Sequence, residues 1–185
     1  SAPAPRSCWT ACSTPPPVLR PPEGEAQAAA LRPDATDHHS RTMATHSLPP
    51  GKLPPEFLAR LLGDLPPDPT VLVGPGWGRD VAVLETPAGR PYLVATADPI
   101  TFATDEIGWY AVHVNANDVA TMGARPRWFL ATVLLPAGQT RVALVESIFA
   151  QIHAACADLG IALAGGHTEI THGLDGPLVC GTLLG

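Results

Sequence analysis

Asn115-Ala116-Asn117-Asp118-Val119-Ala120-Thr121-Met122-Gly123-Ala124 puts two amides and a carboxylate at the end of a helical stretch. A plain core helix would carry leucine or alanine there. Burying a carboxylate is costly unless it is paired, hydrogen-bonded or held by a metal. Asp118 therefore requires either an exposed helix edge or a cation to hold. The small residues Ala116, Ala120, Gly123 and Ala124 imply close packing, which speaks against a merely solvated edge.

Three further segments carry residue types suited to chemistry. Gly74-Pro75-Gly76-Trp77-Gly78-Arg79-Asp80 is a glycine-rich loop leading into a strand, and backbone amides of such loops can cradle phosphate. By itself it is also ordinary turn chemistry. Thr96-Ala97-Asp98-Pro99 sets a carboxylate at the end of an apolar strand, though an Asp before Pro can simply open a turn. Gly165-Gly166-His167-Thr168-Glu169 follows another apolar strand, and its glycines allow a tight turn or a close approach to a ligand. Together Asp80, Asp98, Asp118 and Glu169 supply four carboxylates at strand or helix ends. Such oxygen ligands suit Mg²⁺, which takes one or two carboxylates plus phosphate oxygens. The sequence has no His/Cys set spaced for zinc and no Gly-x-x-x-x-Gly-Lys-Ser/Thr loop. No general base can be assigned; His113 and His167 are the nearby candidates.

Periodicity places these segments. Pro54-Pro55 opens a short helix with the apolar face Phe57, Leu58, Leu61 and Leu62. Thr70–Val73 is a short strand, and Asp80–Thr86 and Tyr92–Ala97 form a hairpin around Pro87-Ala88-Gly89-Arg90. A helix capped by Thr104 runs to about Met122, with Gly123 as its stop. His113, Asn117 and Thr121 share one face of it; Ile107, Tyr110, Val114 and Met122 share the neighbouring apolar face. Arg127–Leu135 is a buried-type strand. The next helix, capped by Thr140 and ended by Gly160, has the stripe Val142, Val145, Phe149, Ile152, Cys156 and Leu159. Ile161–Ala164 and Leu178–Leu184 are strands, with Gly165-Gly166 a tight turn after the first. This predicts an α+β fold: a sheet of four or more strands with two long helices on one face.

The chain has 185 residues, a net charge of −6 and no basic stripe, which gives no support to nucleic-acid binding. No apolar run approaches the roughly 20 residues of a membrane span, and the first residues show no secretory signal. Cys8 and Cys12 lie in a Pro-rich stretch without the second half of a zinc site. Cys156 and Cys180 read as small core residues, so a disulfide framework is not expected and a cytoplasmic location is. Residues 1–50 are rich in proline and poor in bulky aliphatics, and are expected to be a disordered tail; 51–185 is the folded domain.

In this order, the four segments resemble the aminoimidazole ribonucleotide (AIR) synthetase, or PurM-like, superfamily, which includes hydrogenase-maturation carbamoyl dehydratase, selenophosphate synthetase and thiamine-monophosphate kinase. The family's Gly-Asp-Asp-Ala-Ala loop, Thr-Thr-Asp strand end, Asn-Asp-x-x-x-Met-Gly-Ala helix end and Gly-Gly-Asp/Glu/His-Thr loop correspond to Gly78–Ala82, Thr96–Asp98, Asn117–Ala124 and Gly165–Thr168. The helix end is the specific one. Ile107–His113 and Gly166–Thr171 look most like the AIR synthase-related branch, near the hydrogenase-maturation enzymes. The resemblance covers roughly Leu53 to Gly185.

It implies the family's N-terminal domain, a four-stranded sheet with helices on one face, paired into a β-barrel in a homodimer. It also implies ATP and Mg²⁺ as cofactors. Asp80, Asp98 and Asp118 would be metal ligands, and Gly76, Gly78, Arg79, Asn117, Gly165, Gly166, His167 and Thr168 would contact the nucleotide. The implied chemistry is activation of an amide or carboxamide oxygen by phosphoryl transfer, toward a small-molecule or protein acceptor. Two departures stand out. Arg79 replaces the first Asp of the family loop, and His167 stands where kinase-like members carry Asp, which speaks against a thiamine-monophosphate-type kinase. The family's second domain would follow Gly185. The alternatives are a non-catalytic dimerisation or partner-binding module on the same fold and a small-molecule kinase of the thiamine-monophosphate type.

Overall fold

In the computed structural model, residues 47–63, 65–86, 92–102 and 105–185 are described. The expected tail, the Pro87–Arg90 turn and the Thr104 cap lie outside the described residues, apart from residues 47–50. The elements are α1 (Pro55–Leu62), β1 (Val71–Val73), β2 (Val81–Leu84), β3 (Leu93–Ile100), α2 (Ile107–Thr121), β4 (Trp128–Pro136), α3 (Val142–Leu159), β5 (Ala162–Thr171) and β6 (Leu178–Leu184). All fall in the unit Pro50–Gly185.

The α+β expectation holds, but the sheet has six strands rather than four, in the order β1-β2-β3-β6-β4-β5. Every pair is antiparallel except β4–β5. Parallel neighbours need a crossover, and α3 supplies it between β4 and β5. β3 continues past Ala97 to Ile100 through Pro99. β2 ends opposite Thr96, so Pro99 lies where that edge of β3 is no longer paired and its missing N–H costs little.

Alternation along the strands divides the sheet into two unlike faces. Val83, Val94, Ile100, Phe129, Ala131, Val133, Leu135, Val179 and Leu183 are buried beneath the helices. The residues between them, such as Leu93, Ala95, Leu130, Leu134, Leu178 and Leu184, are only half-buried. Both long helices sit on the first face, as expected.

The faces they bury differ from the simple stripes. α2 buries Ile107, Gly108, Ala111, Val112, Asn115, Ala116 and Val119. α3 buries Ile148, Ile152, Ala155 and Cys156, while Val142 is 73% exposed and Leu159 38%. α3 touches α2 along one side and β5 along another, which rotates its contact surface away from a single 3-4-3-4 line. By length and mean hydropathy, 1.4 over 18 residues, α3 could cross a membrane; here Ile148, Ile152, Ala155 and Cys156 are its residues buried in the core.

The helix ends correct one expectation and confirm two. Thr140 does not cap α3; its hydroxyl donates to the Pro136 carbonyl at 2.8 Å, and Arg141 stands at the cap position. Glu106, at the cap position of α2, makes no side-chain capping bond among the described residues. Gln151 on α3 does that work: its Oε1 accepts the Gly108 N–H at 2.9 Å, and its Nε2 donates to the Asp105 carbonyl at 2.8 Å. Gly123 and Gly160 both take positive φ, 73° and 66°, as helix stops.

The largest correction concerns Gly165-Gly166. They form no turn; β5 runs straight through them to Thr171. The β4–β5 register skips a residue there, with Phe129 opposite Leu163 and Leu130 opposite Gly165. The two glycines absorb this bulge at φ 154° and 146°, conformations that side-chain-bearing residues avoid. A Cβ at Gly166 would collide with the Ala131 backbone, whereas one at Gly165 would meet nothing within 4 Å.

Gly166→Ala should therefore lower stability by at least ~2 kcal/mol, combining strain with a backbone clash. Gly165→Ala should carry only the conformational cost of ~1–2 kcal/mol. Urea unfolding midpoints measure both; equal losses would contradict the close β4–β5 approach.

Candidate functional site

Asp118 lies in the last turn of α2, on the border of its buried face. The negative end of the helix dipole disfavours a carboxylate there. α2 also has no basic residue in its last turn to offset it. A second carboxylate, Asp98, comes up from β3 to meet it. Asp98 shares the helix-facing side of β3 with buried Val94, Thr96 and Ile100. Burial, the hydrogen-bonding contact with Asp98 and the Asp98 charge push the Asp118 carboxyl up from 3.8 to about 6, with the Asp80 charge adding to the rise and Thr96 opposing it.

Thr96 ties three elements together. It is 4% exposed, and its Oγ1 donates to the Asp80 carbonyl at 2.8 Å and reaches Asp118 Oδ2 at 3.2 Å. Donation from this hydroxyl favours the ionised Asp118 carboxyl, an effect that burial and Asp98 outweigh.

Asp80 takes a lesser part than expected. Its carboxylate meets Lys52 Nζ at 3.6 Å, with both side chains well exposed. Among the described residues no three His, Cys, Asp or Glu side chains converge on one point. The arrangement is a pair, Asp98 and Asp118, with Asp80 acting on it at longer range. Two hard carboxylates under mutual repulsion fit a cation such as Mg²⁺ that completes its shell with phosphate oxygens, and do not form an all-protein cage.

The glycine loop lies just before Asp80. Gly78 has φ 72°, and Arg79 N–H donates to the Gly76 carbonyl at 3.2 Å. The Arg79 guanidinium folds back to donate to the Gly74 carbonyl at 3.3 Å and lies over Gly76. Trp77 at the tip is 69% exposed. Asn117 points to solvent from α2. His113 stacks on Trp109 with ring centroids 3.7 Å apart, and its Nδ1 bonds the Trp109 carbonyl at 2.9 Å.

The remaining expected residues lie elsewhere. His167 is opposite Thr132 on β4, which is opposite Cys180 on β6, which is opposite Pro99 on β3. That rung puts His167 three strands from Asp98's neighbour, about 14 Å across the sheet. Thr132 and Cys180 belong to the half-buried face, and alternation places His167 on that face too. Asp98 faces the helices. Gly165, Gly166, His167 and Thr168 instead line a pocket of about 360 Å³ with Leu163 and Phe149. His167 Nε2 and Glu169 Oε2 are 3.4 Å apart, both exposed. Within one chain, the two halves of the expected nucleotide site are therefore separate.

One residue of the site, noted in the sequence only as one of the two amides of this helix end, was given no role there. Asn115 is fully buried. Its Oδ1 accepts the Asp98 N–H at 3.0 Å, and its Nδ2 donates to the Asp98 carbonyl at 3.3 Å and the Ala111 carbonyl at 2.8 Å. The available signal was a polar residue at a helix position whose neighbours Ala111, Val112 and Val119 are all core.

The raised Asp118 pKa fixes a pH dependence. Between about pH 4 and 6 the folded chain keeps a proton that the unfolded chain has released, so metal-free stability falls as pH rises through that window. Asp118→Asn should match the wild type near pH 4 and exceed it by ~1 kcal/mol at pH 7, a figure discounted for partial solvation. Urea unfolding of both proteins across this range tests it; a pH-independent difference would refute the shifted carboxyl.

The family model described as AIR synthase related protein, N-terminal domain, matches residues 78–185, more than half of the chain. The chain is 34% identical over 145 residues to the thiamine-monophosphate kinase of Rhodopirellula baltica, covering 70% of this chain and 44% of the kinase. It is 33% identical over 96 residues to the hydrogenase expression/formation protein HupE of Azotobacter chroococcum, covering 50% and 28%. It is 31% identical over 134 residues to a selenide, water dikinase of Nitratidesulfovibrio vulgaris, covering 66% and 38%. Among solved structures, a Thermus thermophilus protein superposes with TM-score 0.56 at 22% identity, covering 69% of this chain and 42% of that one. The thiamine monophosphate kinase of Aquifex aeolicus gives 0.52 at 20%, covering 70% and 40%. The chain spans less than half the length of each of these relatives. With its fold and its motif-bearing helix end in agreement, the chain belongs to the AIR synthase related family, matching that family's N-terminal domain.

Proposed function

We propose that this chain is the Mg²⁺- and ATP-binding N-terminal domain of a cytoplasmic enzyme that activates an amide or carboxamide oxygen by phosphoryl transfer. The observation that carries the reading is the Asp98–Asp118 pair. These are two carboxylates held in contact at the negative end of a helix, where burial and repulsion both call for a cation. Bound Mg²⁺ would neutralise charge on phosphate oxygens. The chain's own part is positioning: Asp98 and Asp118 hold the ion, and the Gly76–Gly78 backbone faces the phosphates. Arg79 is free to swing from the Gly74 carbonyl onto an anion, since a single 3.3 Å exposed bond holds it. Catalysis of this kind rests on such placement and charge compensation. Neither His113, bonded within its helix, nor His167, beside Glu169, is assigned as a base.

A second reading is a small-molecule kinase of the thiamine-monophosphate type. His167 speaks against it, and the 34% identity to the R. baltica kinase speaks for it. The hydrogenase-maturation role draws on the HupE match over a shorter stretch. A non-catalytic dimerisation or partner-binding module is the remaining alternative, and detectable ATP turnover would argue against it.

The reading also includes a homodimer. The half-buried sheet face, with Leu93, Leu130, Leu134, Leu178 and Leu184, has neither long helix over it. A second copy laid sheet to sheet would cover it and close the edges into a barrel.

Asp118→Asn should weaken Mg-ATP binding at least about tenfold by calorimetric titration, since a charged ligand contact is worth a few kcal/mol. Unchanged affinity would sink the site. Light scattering should give twice the 19.3 kDa chain mass, and a monomer at micromolar concentration would refute the pairing.

A further inference from the structure

We infer that Asn115 is the positioning residue of the acidic pair, its side-chain amide holding the Asp98 backbone so that the Asp98 carboxylate stays beside Asp118. The inference rests on the reading of that pair as a cation site. Among the described residues, the buried polar side chains are Thr96 and Asn115, and both belong to this site. Each buried polar group carries a desolvation cost that a leucine at position 115 would avoid. Asn115 offsets it with three hydrogen bonds, and two of them go to a single residue of another element.

Those two bonds have a specific mechanical effect. They grip the N–H and the C=O of Asp98, the groups on either side of its Cα. Holding both restrains φ and ψ together, and therefore the direction of the Cα–Cβ bond that carries the carboxylate. The third bond, to the Ala111 carbonyl one turn back, fixes the amide to α2, the helix that carries Asp118. The two carboxylates are thus referred to one rigid element. β6 leaves room for this: a Cβ at Gly181 would run into Asn115 Nδ2 and the Phe129 ring.

The test uses the 185-residue chain with Mn²⁺ alone as the probe, followed by electron paramagnetic resonance, and backbone amide exchange at Asp98 by NMR. Asn115→Leu should fold by circular dichroism, exchange the Asp98 amide at least tenfold faster and bind Mn²⁺ at least tenfold more weakly. The milder Asn115→Ser, which leaves space for water, carries the same expectation if the leucine variant does not fold. Gly181→Ala should reproduce both losses with Asn115 still present. Val112→Ala, which opens the same helix core with no polar atom lost, should leave Mn²⁺ affinity within about twofold. Unchanged Mn²⁺ affinity in a folded Asn115 variant would overturn the inference. So would an equal loss in Val112→Ala, which would mean general loosening. If the wild type takes up no Mn²⁺, the cation reading fails, and Asp98 exchange alone decides Asn115: unchanged exchange in its variants overturns the hold.

Discussion

The structure depends on how closely α2 can approach the sheet and its companion helix. Three glycines set that distance. A Cβ at Gly108 would press on the Ile148 carbonyl of α3, one at Gly181 on Asn115 and Phe129, and one at Gly185 on Val119 and the Arg125 backbone. With those side chains absent, the amide of Asn115 can bond a strand backbone directly and Gln151 can reach the Gly108 N–H at the start of α2. Ordinary side chains at these positions would lift the helix and separate Asp118 from Asp98. The close seat of α2 and the acidic pair are one feature seen from two sides.

That pair stands against its surroundings. Thr96 and Asn115 are fully satisfied, and no buried side-chain polar atom among the described residues lacks a partner. The carboxyls are different: they are well placed geometrically and poorly placed electrostatically. Such local conflict inside an otherwise consistent core is a common mark of a functional site, because the compensating charge comes from a ligand. The cysteines show the opposite case. Cys156 is buried, its thiol pushed up to about 11 by desolvation alone, and it behaves as a small core residue.

Geometry within one chain also limits the site. The acidic pair faces the helices near the β2–β3 side of the sheet, and the Gly165–Thr168 segment lies on the far edge strand. Neither end encloses a nucleotide by itself.

Much of this was legible in sequence where the signal is local. Gly123 and Gly160 as helix stops, the two long helices on one face, the strands around Val81, Leu93, Phe129 and Val179, and Asp98 and Asp118 among four carboxylates at element ends all follow from residue type and period. These properties are set by the nearest few residues along the chain. The tertiary structure decided the rest. Gly165-Gly166 looked like a turn because glycine pairs usually end strands; only the nearness of Ala131 makes them a bulge within one. The α3 stripe rotated because two neighbours share that helix. Asn115 gained its bonds to Asp98 from a residue 17 positions away. His167 was separated from the pair by strand order and by alternation between faces. Contact between distant residues depends on which elements become neighbours and how closely, and that is fixed by packing rather than by any single segment.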